Sequence, residues 1–207
     1  MTDPVILVMS CERDRRNGRQ QAAEATWMQE WADLIDFHIL LGRGNANEDF
    51  PTEWVVNAPD DYNGVVYKYT QGRVRALACG YTHIFHACVD TWINVPRLLA
   101  SGFENHDYTG YRCDEGHGSG GMGYWCSARA VKVLLNAPVT GDYEDRWAGA
   151  ALANAGIPLH EDRRYSSPAN PNRPPDEITL HLSRGTDNYD PQWMYDYHAK
   201  FMETGHV

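Results

Sequence analysis

Two residues far apart in the chain, Asp90 and His181, form the pair best suited to chemistry. Asp90 closes the apolar stretch "THIFHACVD", and His181 lies in "EITLHL". A carboxylate and an imidazole together suit a divalent ion such as Mn²⁺. Two protein ligands leave coordination positions for phosphate oxygens, as happens when a metal serves a nucleotide. Each residue also has a plainer reading. An aspartate after a strand caps a helix or turns the chain, and a lone histidine packs or hydrogen-bonds. Cys88, two residues before Asp90, reads as a small buried side chain. Other polar groups end apolar runs: Ser10 to Arg13, and Asp60 with Asp61. "ERDRRNGR" holds four arginines, Arg13 to Arg19, and "EDRRY" adds Arg163 and Arg164. Guanidinium pairs well with phosphate, although such clusters also serve as solvated surface. Trp92 and Trp125 suit stacking on a sugar or base, or packing in the core.

Positioning these groups requires strands that end near one another. "PVILVMSC" is a continuous apolar run, as a buried parallel strand requires. "RNGRQQAAEATWMQEWADL" has helical spacing through Ala22, Ala23, Trp27, Trp31 and Leu34. "DFHILLGRG" and "WVVNAP" read as the next two strands. "NGVVYKYTQGRVRALACGY" reads as a helix, with Val66, Tyr69, Val74 and Leu77 on or near one face. The strand "THIFHACVD" follows, then a short apolar turn at Thr91-Trp92-Ile93 and a new helix at "NVPRLL". Strands alternating with helices predict an α/β fold with a mostly parallel sheet. Ligands then gather outside the carboxyl ends of the strands, where Ser10 to Arg13, Asp60, Asp90 and His181 fall.

The second half is less regular. It holds the glycine-rich "GHGSGGMG", a helix near 127–136 and another across "DRWAGAALANAG". A proline-rich loop, "SSPANPNRPP", precedes the last strand, "EITLHL", and "PQWMYDYHAKFMET" reads as a final helix. With 207 residues, no repeats and no linker, residues 1–207 form one expected domain. Dinucleotide and Walker fingerprints are absent, as are the G-x-S-x-G and H-E-x-x-H motifs.

Composition narrows the functional classes. A hydrophobic content of 43% fits a globular chain rather than a disordered one. No run of eighteen apolar residues offers a membrane span. The N-terminus has no basic segment before its apolar run, unlike a signal peptide, and the five cysteines form no C-x-x-C pair. The expected location is therefore the cytoplasm, with reduced thiols. A net charge of −10 argues against broad, non-specific nucleic-acid binding but leaves room for a local basic site.

Taken in order, the segments resemble the Fringe and β-1,3-galactosyltransferase type of glycosyltransferase, family 31. "GRQQAAEATW" is similar to that family's arginine-rich helix ending in Thr-Trp, with Glu24 in place of the second arginine. "DDYNGVVYKYT" resembles D-S-Y-x-N-L-x-x-K-T through Asp60, Tyr62, Val65 and Lys68, with Gly64 in the Asn place. "HACVDTWINVPRLL" resembles the segment that carries the D-x-D motif. "GSGGMGYWCS" resembles G-x-G-Y-x-x-S at Gly121, Gly123, Tyr124 and Ser127. "YEDRWAG" resembles E-D-V-x-x-G at Glu144, Asp145 and Gly149. His181 falls where the family has a late metal-binding histidine, and the likeness spans roughly residues 4 to 182.

The resemblance implies a single-domain, Rossmann-like GT-A fold that binds a UDP-sugar with Mn²⁺ or Mg²⁺. Asp90 becomes the last Asp of D-x-D and, with His181, the metal ligand. Cys88 replaces the first Asp, which puts metal affinity or donor preference in question. The implied reaction is an inverting displacement with Asp145 as base on the acceptor hydroxyl and Glu144 as second choice. Ser10, Arg13, Arg19, Asp60, Lys68, Cys88, Gly121 and Gly123 are then expected on the donor side, and Trp92, Tyr124, Trp125, Arg163 and Arg164 on the acceptor side. Anchor-free enzymes of this kind resemble bacterial, viral and phage glycosyltransferases. The acceptor expected first is a hydroxymethylated pyrimidine in phage DNA, held by the arginine clusters with Arg173. A glycan acceptor is the alternative, and a catalytically dead sugar-nucleotide-binding module is the reading from another class.

Overall fold

The computed structural model describes residues 3–44, 52–140, 143–183 and 189–205. Strand β1 (Pro4–Met9) leads into the short helices α1 (Glu12–Arg16) and α2 (Arg19–Ala23). The helix then widens to a π turn over Glu24–Met28, where Thr26 leaves helical geometry and its hydroxyl bonds back to the Ala22 carbonyl at 2.6 Å. Hydroxyl back-bonding of this kind bends helices. Ala22, Ala23, Trp27 and Trp31 are buried as expected, whereas Leu34 lies beyond the helix and is exposed.

Strands β2 (Asp36–Leu41) and β3 (Glu53–Val55) precede helix α3 (Val65–Ala78), which leads to β4 (His83–Cys88). Thr91–Ile93, expected as a turn, forms strand β5 of a second sheet. Helix α4 (Val95–Leu99) starts at Asn94, whose side chain accepts from the Arg97 amide. The chain continues through β6 (Tyr108–Gly110), β7 (Tyr124–Ser127), α5 (Ala128–Asn136) and α6 (Glu144–Asn154). It ends with β8 (His160–Glu161), β9 (Tyr165–Ser166), β10 (Thr179–His181) and α7 (Gln192–Thr204).

The main sheet has the order β3-β2-β1-β4-β7-β6-β8. Only β7 runs against the others. Alternation along β1 sends Val5, Leu7 and Met9 to one core and Ile6 and Val8 to the other, so both faces of the sheet are covered. Helices α3, α5 and α6 cover the first face. Helix α2, the π turn and α7 cover the second. On α3 the buried positions are Val66, Lys68, Tyr69, Gly72, Arg73 and Ala76; Val74, expected inside, is 53% exposed. The small sheet, β5-β10-β9, pairs β10 antiparallel to β5 and parallel to β9. No helix among the described residues is long and apolar enough to cross a membrane.

Candidate active site

The β5–β10 ladder brings Asp90 to His181. It pairs Thr91 with His181 and continues one step further, the Leu182 amide donating to the Asp90 carbonyl at 2.8 Å. The His181 Nε2 and an Asp90 carboxylate oxygen are then 3.3 Å apart, and the Ser183 hydroxyl lies 2.8 Å from the same nitrogen. Burial works to raise the Asp90 pKa, but hydrogen bonds and charge from His181, with a bond from Ser183, hold the carboxyl below its ordinary value. Two cis ligands on an octahedral ion, each at about 2.1 Å, stand about 3 Å apart. The 3.3 Å pair therefore fits a divalent ion with little movement, and its oxygen–imidazole donor set suits Mn²⁺. Among the described residues no group of three or more His, Cys, Asp or Glu is placed to hold a metal.

The glycine-rich loop closes over this pair. The Thr91 hydroxyl donates to the Gly121 carbonyl at 2.7 Å, and the Thr179 hydroxyl to the Met122 carbonyl at 2.6 Å. These two threonines, on β5 and β10, fasten the loop to the small sheet. A Cβ on Gly121 would lie 2.4 Å from the His181 ring. Gly123 has φ +84°, and a Cβ there would lie 2.3 Å from Phe85, so both the backbone and the space demand glycine. One residue before Gly121, the Gly120 amide donates to Asp145 at 3.0 Å. Adjacent loop residues thus touch the Asp145 carboxylate and the His181 ring, which puts the two side chains no more than roughly 12 Å apart.

Glu144 and Asp145 open helix α6 and face different surroundings. Glu144 is buried against Arg73, which is fully enclosed. The Tyr124 hydroxyl lies 2.7 Å from both Glu144 oxygens, and Arg73 also donates to Tyr124 and to His86 Nε2, each at 2.9 Å. Burial opposes the charge on Arg73, but Glu144 more than offsets it and strengthens the guanidinium's hold on its proton. Burial and Arg73 keep His86 neutral, far below its ordinary pKa. Asp145 is only half-buried, and its oxygens accept from Gly120 and from its neighbour Arg146. A carboxylate has about four lone-pair sites, so acceptor capacity remains.

Asp60 ties three elements together at the carboxyl edge of the sheet. Its carboxylate accepts from the Glu12 amide at 2.7 Å, the Gly42 amide at 2.6 Å and the Lys68 ammonium at 3.1 Å. Lys68, almost fully buried, also donates to the Ser10 carbonyl at 2.8 Å, and the Ser10 hydroxyl donates to Gln20. Capping of the turn before α3 falls to Asp61. Arg19 is buried against Asp14 and Tyr189, whereas Arg13 is exposed on α1. Cys88 ends β4 beside Asp90, and burial pushes its thiol well above the usual range.

The acceptor-side expectation needs correction. Trp92, Trp125 and Tyr124 are completely buried and present no face to a ligand. Trp92 packs among Trp31 and Phe201, Trp125 stacks on Phe103, and Tyr124 belongs to the Arg73 network. Arg163 is paired with Glu161, and Arg164 with Asp162. Sequence reasoning gave no role to Arg73 or His86, because their pairing with Glu144 and Tyr124 spans distant segments. It also passed over Tyr143, an exposed aromatic immediately before Glu144.

No family model matches the sequence, and no curated protein is similar to it in sequence. In structure the chain is similar to a glycosyltransferase involved in glycosylation of the major capsid of PBCV-1. That match has a TM-score of 0.63 at 10% identity and covers 94% of this chain and 99% of the other. It is also similar to Drosophila β1,4-galactosyltransferase 7 in complex with manganese, UDP-Gal and xylobiose. There the TM-score is 0.52 at 12% identity, covering 91% of this chain and 75% of the other. The chain has the GT-A type of α/β fold found in these glycosyltransferases.

Proposed function

We propose that the protein is a metal-dependent, inverting glycosyltransferase that moves a sugar from a UDP-sugar to an acceptor hydroxyl. The carrying observation is that the glycine loop meets both the Asp90–His181 pair and Asp145. An in-line displacement needs a base about 3 Å from the acceptor oxygen, that oxygen about 3 Å from the anomeric carbon, and the diphosphate beyond it. A span of roughly 12 Å or less accommodates that series. The two similar structures named above are glycosyltransferases, and one was solved with manganese and UDP-Gal.

In this reading Asp90 and His181 would hold the ion. When bound, a divalent ion there offsets the charge developing on the departing UDP. Arg13, exposed at the same edge, is placed to approach the diphosphate, while Asp60, Lys68 and Ser10 keep that edge in shape. Asp145 takes the acceptor proton. Glu144 is the weaker candidate because it is enclosed and already bonded to Arg73 and Tyr124. Its role is to fix the start of α6, and with it the carboxylate of Asp145.

The geometry favours a saccharide acceptor over DNA. Binding of duplex DNA draws on arginines that can neutralise phosphates. Arg163, Arg164 and Arg173 each engage a carboxylate of this chain: Glu161, Asp162 and Glu177 respectively. The test is incubation with a panel of UDP-sugars, Mn²⁺ and either disaccharides or hydroxymethylated DNA, with product mass measured. Asp145→Asn should cut transfer about 10²-fold or more while keeping UDP affinity within about threefold. Asp90→Ala should lose metal-dependent UDP binding as well. Transfer by Asp145→Asn at the wild-type rate would remove Asp145 as base, and product only on DNA would reverse the choice of acceptor.

A further inference from the structure

We infer that Tyr62 and Tyr143 form an aromatic platform that binds the acceptor saccharide beside Asp145; the inference rests on the transfer reaction proposed above. Among the described residues most large aromatic side chains are buried, including the tryptophans that looked suited to a sugar. Tyr62, Tyr67 and Tyr143 depart from that pattern, at 64%, 50% and 46% exposed, and of these Tyr62 and Tyr143 are in ring contact. Their rings nevertheless meet edge to face, with centroids 6.0 Å apart. The pair is assembled from distant segments: Tyr62 opens the turn before α3, and Tyr143 is the residue preceding α6. Single exposed aromatics are common on protein surfaces, but a pair held in contact across the fold is a patch.

The position of the patch gives it meaning. Tyr143 immediately precedes Glu144 and Asp145, and Glu144 is locked to Arg73 in the core. The backbone that carries Tyr143 is therefore held where the candidate base is held. Arg146 lies over the Tyr143 ring at 4.6 Å, which helps to fix that ring's plane. Tyr62 reaches the same place from the other side. Partial burial raises its phenol pKa, and Asp145, Tyr143 and Cys88 all lie close enough to add to the shift. Tyr62 thus lies near Asp145 as well as against the Tyr143 ring.

The chemistry of this surface suits a sugar. A pyranose ring has a polar rim and a face of C–H groups, which packs on an aromatic ring. Tyrosine supplies a rigid, amphipathic contact area at low entropic cost, and its hydroxyl can bond to the rim. A base acting on an acceptor hydroxyl gains rate only if the acceptor is held at a fixed distance from it. The two rings, joined to Asp145 through one turn of chain and one aromatic contact, provide that hold. Tyr143 stands two residues before Asp145, and Tyr62 is in ring contact with it, so an acceptor held by the pair lies beside the candidate base.

The test uses the full chain with xylobiose, lactose and cellobiose as probes. Saturation-transfer NMR should show contacts from these sugars to Tyr62 and Tyr143 ring protons, and Tyr62→Ala and Tyr143→Ala should each remove them. In the transfer assay each alanine variant should raise the acceptor KM about 3- to 10-fold, with kcat and UDP affinity close to wild type. Tyr62→Phe and Tyr143→Phe should retain most of the affinity, because the ring carries the contact. Both side chains are exposed, so melting temperatures should stay near wild type and a folding defect will not obscure the result. Unchanged acceptor KM in both alanine variants, no saccharide contact to either ring, or contact only with a hydroxymethylated oligonucleotide would overturn the inference. If sugars bind the tyrosines but no UDP-sugar is ever consumed, the platform stands and the transfer reaction falls.

Discussion

Gly121→Ala should weaken divalent-ion binding at the Asp90–His181 pair without unfolding the protein. The new methyl carbon would lie 2.4 Å from His181 Cε1, 2.6 Å from Nδ1 and 2.7 Å from Nε2, where ordinary contact begins at 3.4 Å. Either the ring or the loop must give way by about 1 Å. The loop resists, because Thr91 and Thr179 hold the Gly121 and Met122 carbonyls at 2.7 and 2.6 Å. The ring is therefore displaced, and its 3.3 Å relation to Asp90 goes with it. Metal ligands tolerate about 0.2 Å of misplacement, several times less than this shift. Loss of support around a metal ligand commonly lowers affinity about 10- to 100-fold, and Gly121→Ala should reach the upper end of that range. Overpacking should cost about 1–3 kcal/mol of stability, a few degrees of melting temperature in a domain of this size. Gly120→Ala is the matched control. Its methyl would have Asp145 atoms as its nearest neighbours, at 3.2 to 3.4 Å, rather than the His181 ring, so metal binding should persist. Calorimetric titration of Mn²⁺, alone and with UDP, reads both variants. Wild-type Mn²⁺ affinity in Gly121→Ala would refute either the role of His181 or the placement of the loop over it.

Glu144→Gln should leave the enclosed Arg73 without its counter-charge, costing about 3–5 kcal/mol in chemical denaturation, and Arg73→Met combined with Glu144→Leu should recover much of the loss; a loss under about 1 kcal/mol would contradict the description of this pair. Burial holds the His38 imidazole, stacked on Trp54, at a pKa of about 4 against an ordinary 6.5. Between those values the unfolded chain binds more protons than the folded one, so stability should rise with pH through this window and erode on acidification. His38→Phe should flatten that limb of a stability–pH curve, and an unchanged slope would show that the limb belongs to other groups. Cys88→Ala should keep sugar transfer, and Cys88→Asp should tighten Mn²⁺ binding in the absence of nucleotide; a dead Cys88→Ala of normal stability would give the thiol a direct role.

The main sheet was legible because its first strands are long and buried on both faces. "PVILVM", "DFHILL" and "HIFHAC" are apolar runs that tolerate little other placement, and helix α3 lies between two of them. The small sheet was not legible, for a physical reason. Strands β5, β9 and β10 have two or three residues each, too few to show a period, and they pair only because distant segments meet. Val74 was misplaced because α3 buries polar residues: Lys68 and Arg73 occupy the inner face that an apolar count would give to Val74. The same blindness affected the aromatics. Trp92 and Trp125 look identical in sequence to ligand-stacking residues, and only tertiary packing separates them from Tyr62 and Tyr143. Asp90, His181 and Asp145 were singled out together by an ordered series of loose motifs, and the fold brings Asp90 against His181 and one glycine loop against both His181 and Asp145. The ranking of Asp145 above Glu144 rested on the resemblance alone, and the enclosure of Glu144 against Arg73 adds a physical reason for it.

The charge balance of the site bears on how the donor would be held. Asp90 supplies one negative charge, and His181 must be neutral to offer a lone pair to an ion. Cys88, where the resembling family has an aspartate, adds none as a thiol. A divalent ion on this pair alone would keep an uncompensated positive charge in a partly buried place, which is unfavourable. A nucleoside diphosphate removes that imbalance, because its phosphate oxygens supply both the missing charge and the missing ligands. Metal and donor should therefore bind as a linked pair, each raising the other's affinity by the same factor. Replacing one carboxylate by a thiol does not make such a site inert. In the proposed reaction it would transfer part of the hold on a divalent ion from the protein to the sugar nucleotide, and the ion alone should then bind weakly.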